Sequence, residues 1–292
     1  MPTGTQLATL GRLGVWSDAI RSAFDNPLSI IGGIGCLSLI ATAILGPHIA
    51  PYDPLDQDML ARFAPSSIGH WLGTDEFGRD VLSRLLYAAR ASVGISLMSV
   101  ALGLAIGTVV GLIAGYRGGW LDVILMESSN LLLAFPTIVL GILVLVALGS
   151  GVFNVVIALT IAFVPRFVRL VRAETLTVKE KSFVEAARAA GASDLRIMFR
   201  YILPNVIGTA VISAALWTAT ALRAEATLSF LGLGVQLPYP SWGNMTSESI
   251  VYIFDNASLV LWPCLAIVFS VVSFNLVGDT LRDYLDPRLT ER

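Results

Sequence analysis

Ser182 and Glu185 stand three residues apart, Gly191 follows six residues later, and Ile202-Leu203-Pro204-Asn205 closes the segment. Ser-x-x-Glu is the spacing of a capping box, in which each side chain satisfies a free backbone N–H at a helix start. The pattern predicts a short helix from Phe183 to Ala190, about 12 Å long. Gly191, the residue type best able to take the left-handed C′ conformation, would end it. Ser193 stands where it can cap a second helix through Asp194 and Leu195. Two short helices joined by a tight turn form a rigid protrusion, whose chemistry is docking into a groove on another protein. Shape alone does not separate it from an ordinary ordered loop.

No other group of residues offers bond-making chemistry. His48 and His70 are too few and too isolated for a metal-dependent protease, and no nucleophile has a visible base partner. Cys36 and Cys264 fall inside apolar runs, where cysteine acts as a small buried hydrophobe. The two lysines, Lys179 and Lys181, are not preceded by glycine, so no G-x-x-x-x-G-K-[ST] phosphate loop exists. We assign no catalytic residue, no metal and no cofactor to this chain; any ATP would be hydrolysed on another one.

The elements that must position the protrusion follow from composition. Hydrophobic residues make up 55% of the 292, charged residues only 14%, and the mean hydropathy is +0.76. Soluble domains carry about 25% charged residues, so lipid is the solvent. The net charge of −2 excludes nucleic acid, which needs clustered basic excess. Apolar runs of about 20 residues predict an all-α chain of six transmembrane helices: Leu28–Gly46, Ala91–Tyr116, Ser128–Leu148 with a kink at Pro136, Val152–Arg169, Tyr201–Leu222 and Ala257–Gly278. The first run exceeds the length of a cleaved signal and reads as a retained helix. The stretch Ala226–Ser247, interrupted by Gly232, Gly234, Pro238, Pro240 and Gly243, reads as a re-entrant or external loop.

Basic residues set the orientation. With a cytoplasmic N-terminus, inside segments hold 14 of the 19, from Arg12 and Arg21 to Arg282, Arg288 and Arg292, with eight between Arg166 and Arg200. Both termini are expected in the cytoplasm. The expected organisation is an N-terminal tail at 1–27, a first span at 28–50, an external loop with an amphipathic segment at 51–90, a five-helix core at 91–281 containing the cytoplasmic loop 179–205, and a tail at 282–292.

Within the spans, Gly103, Gly107, Gly111 and Gly115 recur every four residues and form a stripe where backbones can approach closely. Mid-membrane ionisable groups are scarce, which argues against a proton relay. Glu225 and Arg223, two residues apart near the outer end of the fifth span, read as a structural pair or as pathway lining. Asp75, Glu76, Arg79, Asp80 and Arg84 mix both signs and read as salt bridges or a receptor-docking surface. Ser229, Phe230, Leu231 and Gly232 lie in a turn-rich apolar segment that is a candidate outer gate.

Glu185-Ala186-Ala187, Gly191, Ile197 and Leu203-Pro204-Asn205 closely resemble the EAA loop of permease subunits of ATP-binding-cassette (ABC) importers. Tyr201 stands where relatives often carry His. His70-Trp71-Leu72-Gly73-Thr74-Asp75, Gly78-Arg79-Asp80, Glu225 to Gly234, Pro240-Ser241-Trp242-Gly243, Gly278 to Asp283 and Asp286-Pro287-Arg288 resemble the C-type permeases of dipeptide, oligopeptide and nickel importers. The resemblance implies a MetI-like, type I ABC-importer permease core in a bacterial inner membrane. It implies that Phe183, Glu185, Ala186, Ala187, Arg188, Gly191 and Arg196 form the coupling surface, with Glu185 the acidic contact, Ala186 and Ala187 the close-packing face and Gly191 the turn. The partners implied are a homologous second permease, two cytoplasmic ATPases that hold ATP and Mg, an external substrate-binding protein and membrane lipid. The competing class is an ion-coupled secondary transporter or channel.

Overall fold

The computed structural model describes residues 27–285, and these are almost wholly helical. Arg12, Arg21, Arg288, Arg292 and the Asp286-Pro287-Arg288 motif lie outside the described residues. Five helices are long and apolar enough to cross a membrane, and a sixth span results if one bent pair counts as one.

Helix α1 runs Pro27–Ile49 and α2 runs Val81–Arg117. The second begins ten residues before the apolar run because Asp80 caps it, its side chain accepting from the Ser83 N–H. The ten residues after Asp80 therefore belong to the helix and not to an external loop. The third run does not make one kinked helix. It splits into α3, Gly119–Leu133, and α4, Thr137–Leu148, bent by 95° about Ala134-Phe135-Pro136. Pro136 lacks the N–H that would continue the ladder and excludes helical geometry from the residue before it. The corner is held by Arg166, whose Nη2 donates to Thr137 Oγ1 at 2.6 Å.

Helix α5 spans Val152–Val178 and a short α6 spans Ser182–Ala189. A helical turn at Asp194–Arg196 then widens into a π turn at Ile197–Ile202, which leads into α7, Leu203–Phe230. The stretch expected to be loop from Ala226 is thus helical for its first five residues. It later forms α8, Trp242–Ser249, under a capping box in which Ser241 and Asn244 each satisfy the other's N–H. The last helix, α9, runs Ser258–Leu285, so residues 282–285, expected in the tail, continue that helix.

Small residues set the packing. The glycine stripe of α2 lies along α5: a Cβ on Gly107 would sit 2.4 Å from Phe167 Cβ, and one on Gly115 2.7 Å from Thr175 Cβ. Gly32 and Gly35 seat α1 on Leu276 and Ser273 of α9, and Gly46 seats it on Leu86 of α2. In lipid, where hydrophobicity gives helices no reason to associate, such contact supplies the dispersion energy that holds them.

Candidate functional site

The loop between α5 and α7 carries the short helix α6. Lys181, not Ser182, occupies the N-cap of α6, and no side chain caps it, so the expected capping box is not formed. Backbone geometry starts the helix instead, with the Val184 N–H reaching the Lys181 carbonyl at 2.9 Å. The far end is closed as the glycine predicts. Gly191 has φ +80°; its N–H reaches the Arg188 carbonyl at 3.0 Å and the Ala192 N–H reaches that of Ala187 at 3.1 Å. That pair of bonds is a Schellman motif, which a non-glycine side chain would strain.

One face of α6 is buried and the other open. Val184 and Ala187 are buried, whereas Phe183, Glu185, Ala186 and Arg188 are exposed. Val184 joins an apolar cluster with Leu112 of α2, Val171 and Val178 of α5, Ile197, Met198 and Ile202 of the π turn, and Val206 and Ala210 of α7. Polar contacts tie the same region down: Tyr116 Oη donates to Asp194 Oδ1 at 2.7 Å, and Lys179 Nζ donates to the Gly115 carbonyl at 3.0 Å. The Arg188 guanidinium lies 6.0 Å from the Tyr116 ring centroid. Arg172 grips Asp122 of α3 with two hydrogen bonds. Displacing α6 must therefore displace the near ends of α2, α5 and α7, because packed interiors do not deform freely. Glu185, Arg188 and Arg196 stay on the surface. Beside them Leu195 and Phe199 are also exposed, apolar surface that the motif did not point to.

At the opposite end of the molecule the mixed charges are not a docking surface, because they are buried. Arg79 Nε donates to Asp75 Oδ2 at 2.6 Å and its Nη2 to Glu76 Oε1 at 3.0 Å. Arg84 is 2% exposed and reaches Glu248 Oε2 of α8 at 2.7 Å. Asp80 accepts from Ser83 and lies 2.9 Å from His70 Nδ1. Glu248, 164 residues from Arg84 in sequence, is a partner the local spacing of charges did not reveal. Burial pushes the Glu76 carboxyl above its ordinary range; the Asp75 and Glu248 carboxylates add to the push, and a backbone hydrogen bond and Arg79 oppose it.

Glu225 and Arg223 do not pair. Glu225 is fully buried and accepts from Ser229 Oγ at 2.8 Å through Oε1, with Oε2 left unpartnered, while Arg223 is exposed and donates to Thr220 Oγ1 at 3.2 Å. Ser229 Oγ also receives the Val235 N–H, and Ser92 Oγ of α2 receives that of Trp242. Ser229 thus ties Glu225 to the turn after α7, and Ser92 ties α2 to α8. Phe230 is half-buried, Leu231 is exposed, and Gly232 takes φ +77° in open space. No group of three metal-ligating side chains occurs among the described residues.

Residues 107–291 match the family described as binding-protein-dependent transport system inner membrane component, and residues 14–65 match the N-terminal transmembrane domain of oligopeptide transport permease C. The glutathione transport system permease protein GsiD of Pectobacterium atrosepticum is 42% identical over 277 residues, covering 94% of this chain and 91% of that protein. The dipeptide transport system permease protein DppC of Alkalihalophilus pseudofirmus is 40% identical over 274 residues, covering 94% and 90%. A solved structure of inward-facing conformations of the MetNI methionine ABC transporter matches with a TM-score of 0.56 and 21% identity, over 69% of this chain and 96% of that one. That likeness bears on the fold.

Proposed function

From the membership of this chain in the binding-protein-dependent transport system inner membrane component family, we propose that it carries small peptides inward as one half of an ATP-driven pathway. It is a multi-pass permease of the bacterial inner membrane and not itself an enzyme. In this reading a second, homologous permease supplies the other half, two cytoplasmic ATPases hold ATP and Mg, and an external binding protein delivers the cargo. The relatives named for dipeptide and glutathione transport support a cargo of two or three residues. Both termini face the cytoplasm, as the placement of basic residues favours.

The observation that carries the coupling role is the construction of α6. A helix of eight residues exposes Glu185 and Arg188 while Val184 anchors it among α2, α5 and α7. An ATPase that seats α6 and closes on ATP would pull those ends together and switch the cavity from one side to the other. ATP-dependent uptake and ATPase co-purification test this. Glu185→Ala is expected to weaken ATPase retention and cut uptake about tenfold, the effect of losing one charge-assisted contact. Gly191→Val is expected to cut uptake further by straining the Schellman turn. Wild-type uptake and ATPase retention in both variants would refute the assignment.

A further inference from the structure

A cavity of about 340 Å³ opens between α7, α8 and α9 at the end of the molecule away from α6. Its size falls in the range that takes a small organic ligand, about 300–1,000 Å³. Arg223, Thr227 and Phe230 reach it from one face of α7, their spacings of four and three being those of helical neighbours. Gly243 and Thr246 of α8 and Ile267 of α9 face them. Gly243 allows the close approach that forms this wall, since a Cβ there would sit 2.2 Å from the Ala226 carbonyl oxygen.

Arg223 gives the cavity its character. Its guanidinium is exposed, and among the described residues no carboxylate lies within ion-pair distance; it donates to Thr220 Oγ1. An arginine inside an apolar span is costly unless it meets water, protein or an anion. Its planar fork matches a carboxylate with two parallel hydrogen bonds. The Thr227 and Thr246 hydroxyls already donate to the Arg223 and Trp242 carbonyls, both at 2.8 Å. Their oxygens therefore have lone pairs but no proton to offer, which suits an ammonium donor. Phe230 and Ile267 add apolar surface. A fixed cation, hydroxyl acceptors and an apolar wall together complement a short peptide with free ends.

We propose that this cavity is a station on the translocation pathway, where Arg223 holds the terminal carboxylate of a small peptide; the proposal rests on the peptide-permease reading above. The test uses the assembled transporter in liposomes, both permeases with their ATPases, supplied with saturating binding protein. A dipeptide is offered as the free acid or as its C-terminal amide, and peptide moved per ATP hydrolysed is counted. The wild type should move the acid in preference to the amide. Arg223→Gln should lower the acid's yield about tenfold, toward the amide's, while the amide's stays unchanged. Arg223→Lys, which keeps the charge and loses the fork, should fall between. Equal wild-type yields for acid and amide would overturn the site, as would a wild-type acid yield in Arg223→Gln or an equal loss for both peptides. So would loss of the second permease from the purified Arg223→Gln complex, which would place the residue in a subunit contact. A wild-type transporter that moves neither peptide would instead overturn the peptide reading itself.

Discussion

Glu76 takes up the charge imbalance of its surroundings. Three carboxylates, Asp75, Glu76 and Glu248, share two guanidiniums, those of Arg79 and Arg84. Burial and the two neighbouring carboxylates raise the Glu76 pKa above 4.5. The folded chain therefore holds that proton more tightly than the unfolded chain does. Stability from this group is full below the unfolded value and is lost as pH rises through the raised folded value, after which it stays level. Glu76→Gln keeps an oxygen acceptor for Arg79 and removes the surplus charge. It is expected to melt higher than wild type at pH 7, with the gap closing on acidification below the ordinary glutamate range. A pH series of melting temperatures for the two proteins checks this, and a constant gap would contradict it. The cluster shows where sequence is mute. Five of its charges sit within ten residues of one another and were visible, but Glu248 arrives from α8 by folding alone. Conversely Arg223 and Glu225, adjacent enough to suggest a pair, are two residues apart on a helix that turns about 100° per residue, and so point to opposite faces.

For whole elements, what could be read from sequence was what depended on local geometry. The period of four in Gly103, Gly107, Gly111 and Gly115 marks a seam whatever lies across it; that α5 lies there depends on tertiary packing. Gly191 ends α6 because a positive φ is a property of the residue itself, whereas the cap expected at Ser182 moved one residue to Lys181. Pro136 marked a bend, but its angle of 95° depends on Arg166 bonding Thr137 from another helix. The seam yields a prediction with an internal control. Gly107→Val would drive its Cβ into Phe167 Cβ and the Val164 carbonyl, at 2.4 and 2.9 Å, and should destabilise the complex by about 1–3 kcal/mol through overpacking. Gly94→Ala, on the same helix with nothing within 4 Å of the added Cβ, should be neutral or stabilising by up to about 1 kcal/mol from helix propensity. Thermal unfolding of both in detergent separates the two; equal effects would mean the seam does not carry the packing.

Across the whole molecule, α2 joins both sites described here. Its 37 residues make a rod of about 55 Å, held at one end by Asp80 and by Arg84 in the buried charge cluster, and at the other by the bond from Tyr116 to Asp194 of the α6 loop. A rod gripped at both ends transmits displacement only if both grips hold. The α6 grip has an apolar part, Leu112 in the cluster with Val184 and Ile197, and a polar part, the 2.7 Å hydrogen bond from Tyr116 to Asp194 beside the contact of Lys179 with the Gly115 carbonyl. Removing the Tyr116–Asp194 bond alone should loosen transmission without unfolding the chain. Tyr116→Phe is expected to cost only about 0.5–1.5 kcal/mol in stability. Peptide moved per ATP should fall several-fold while ATP hydrolysis continues, because the ATPases would still close on α6 with a slacker link to α2. Asp194→Ala should produce the same defect, and the double variant should be no worse than either single one, since both break one bond. Additive losses in the double variant would show that the two residues act separately, and the coupling would then have to run through the apolar cluster and the Lys179–Gly115 contact.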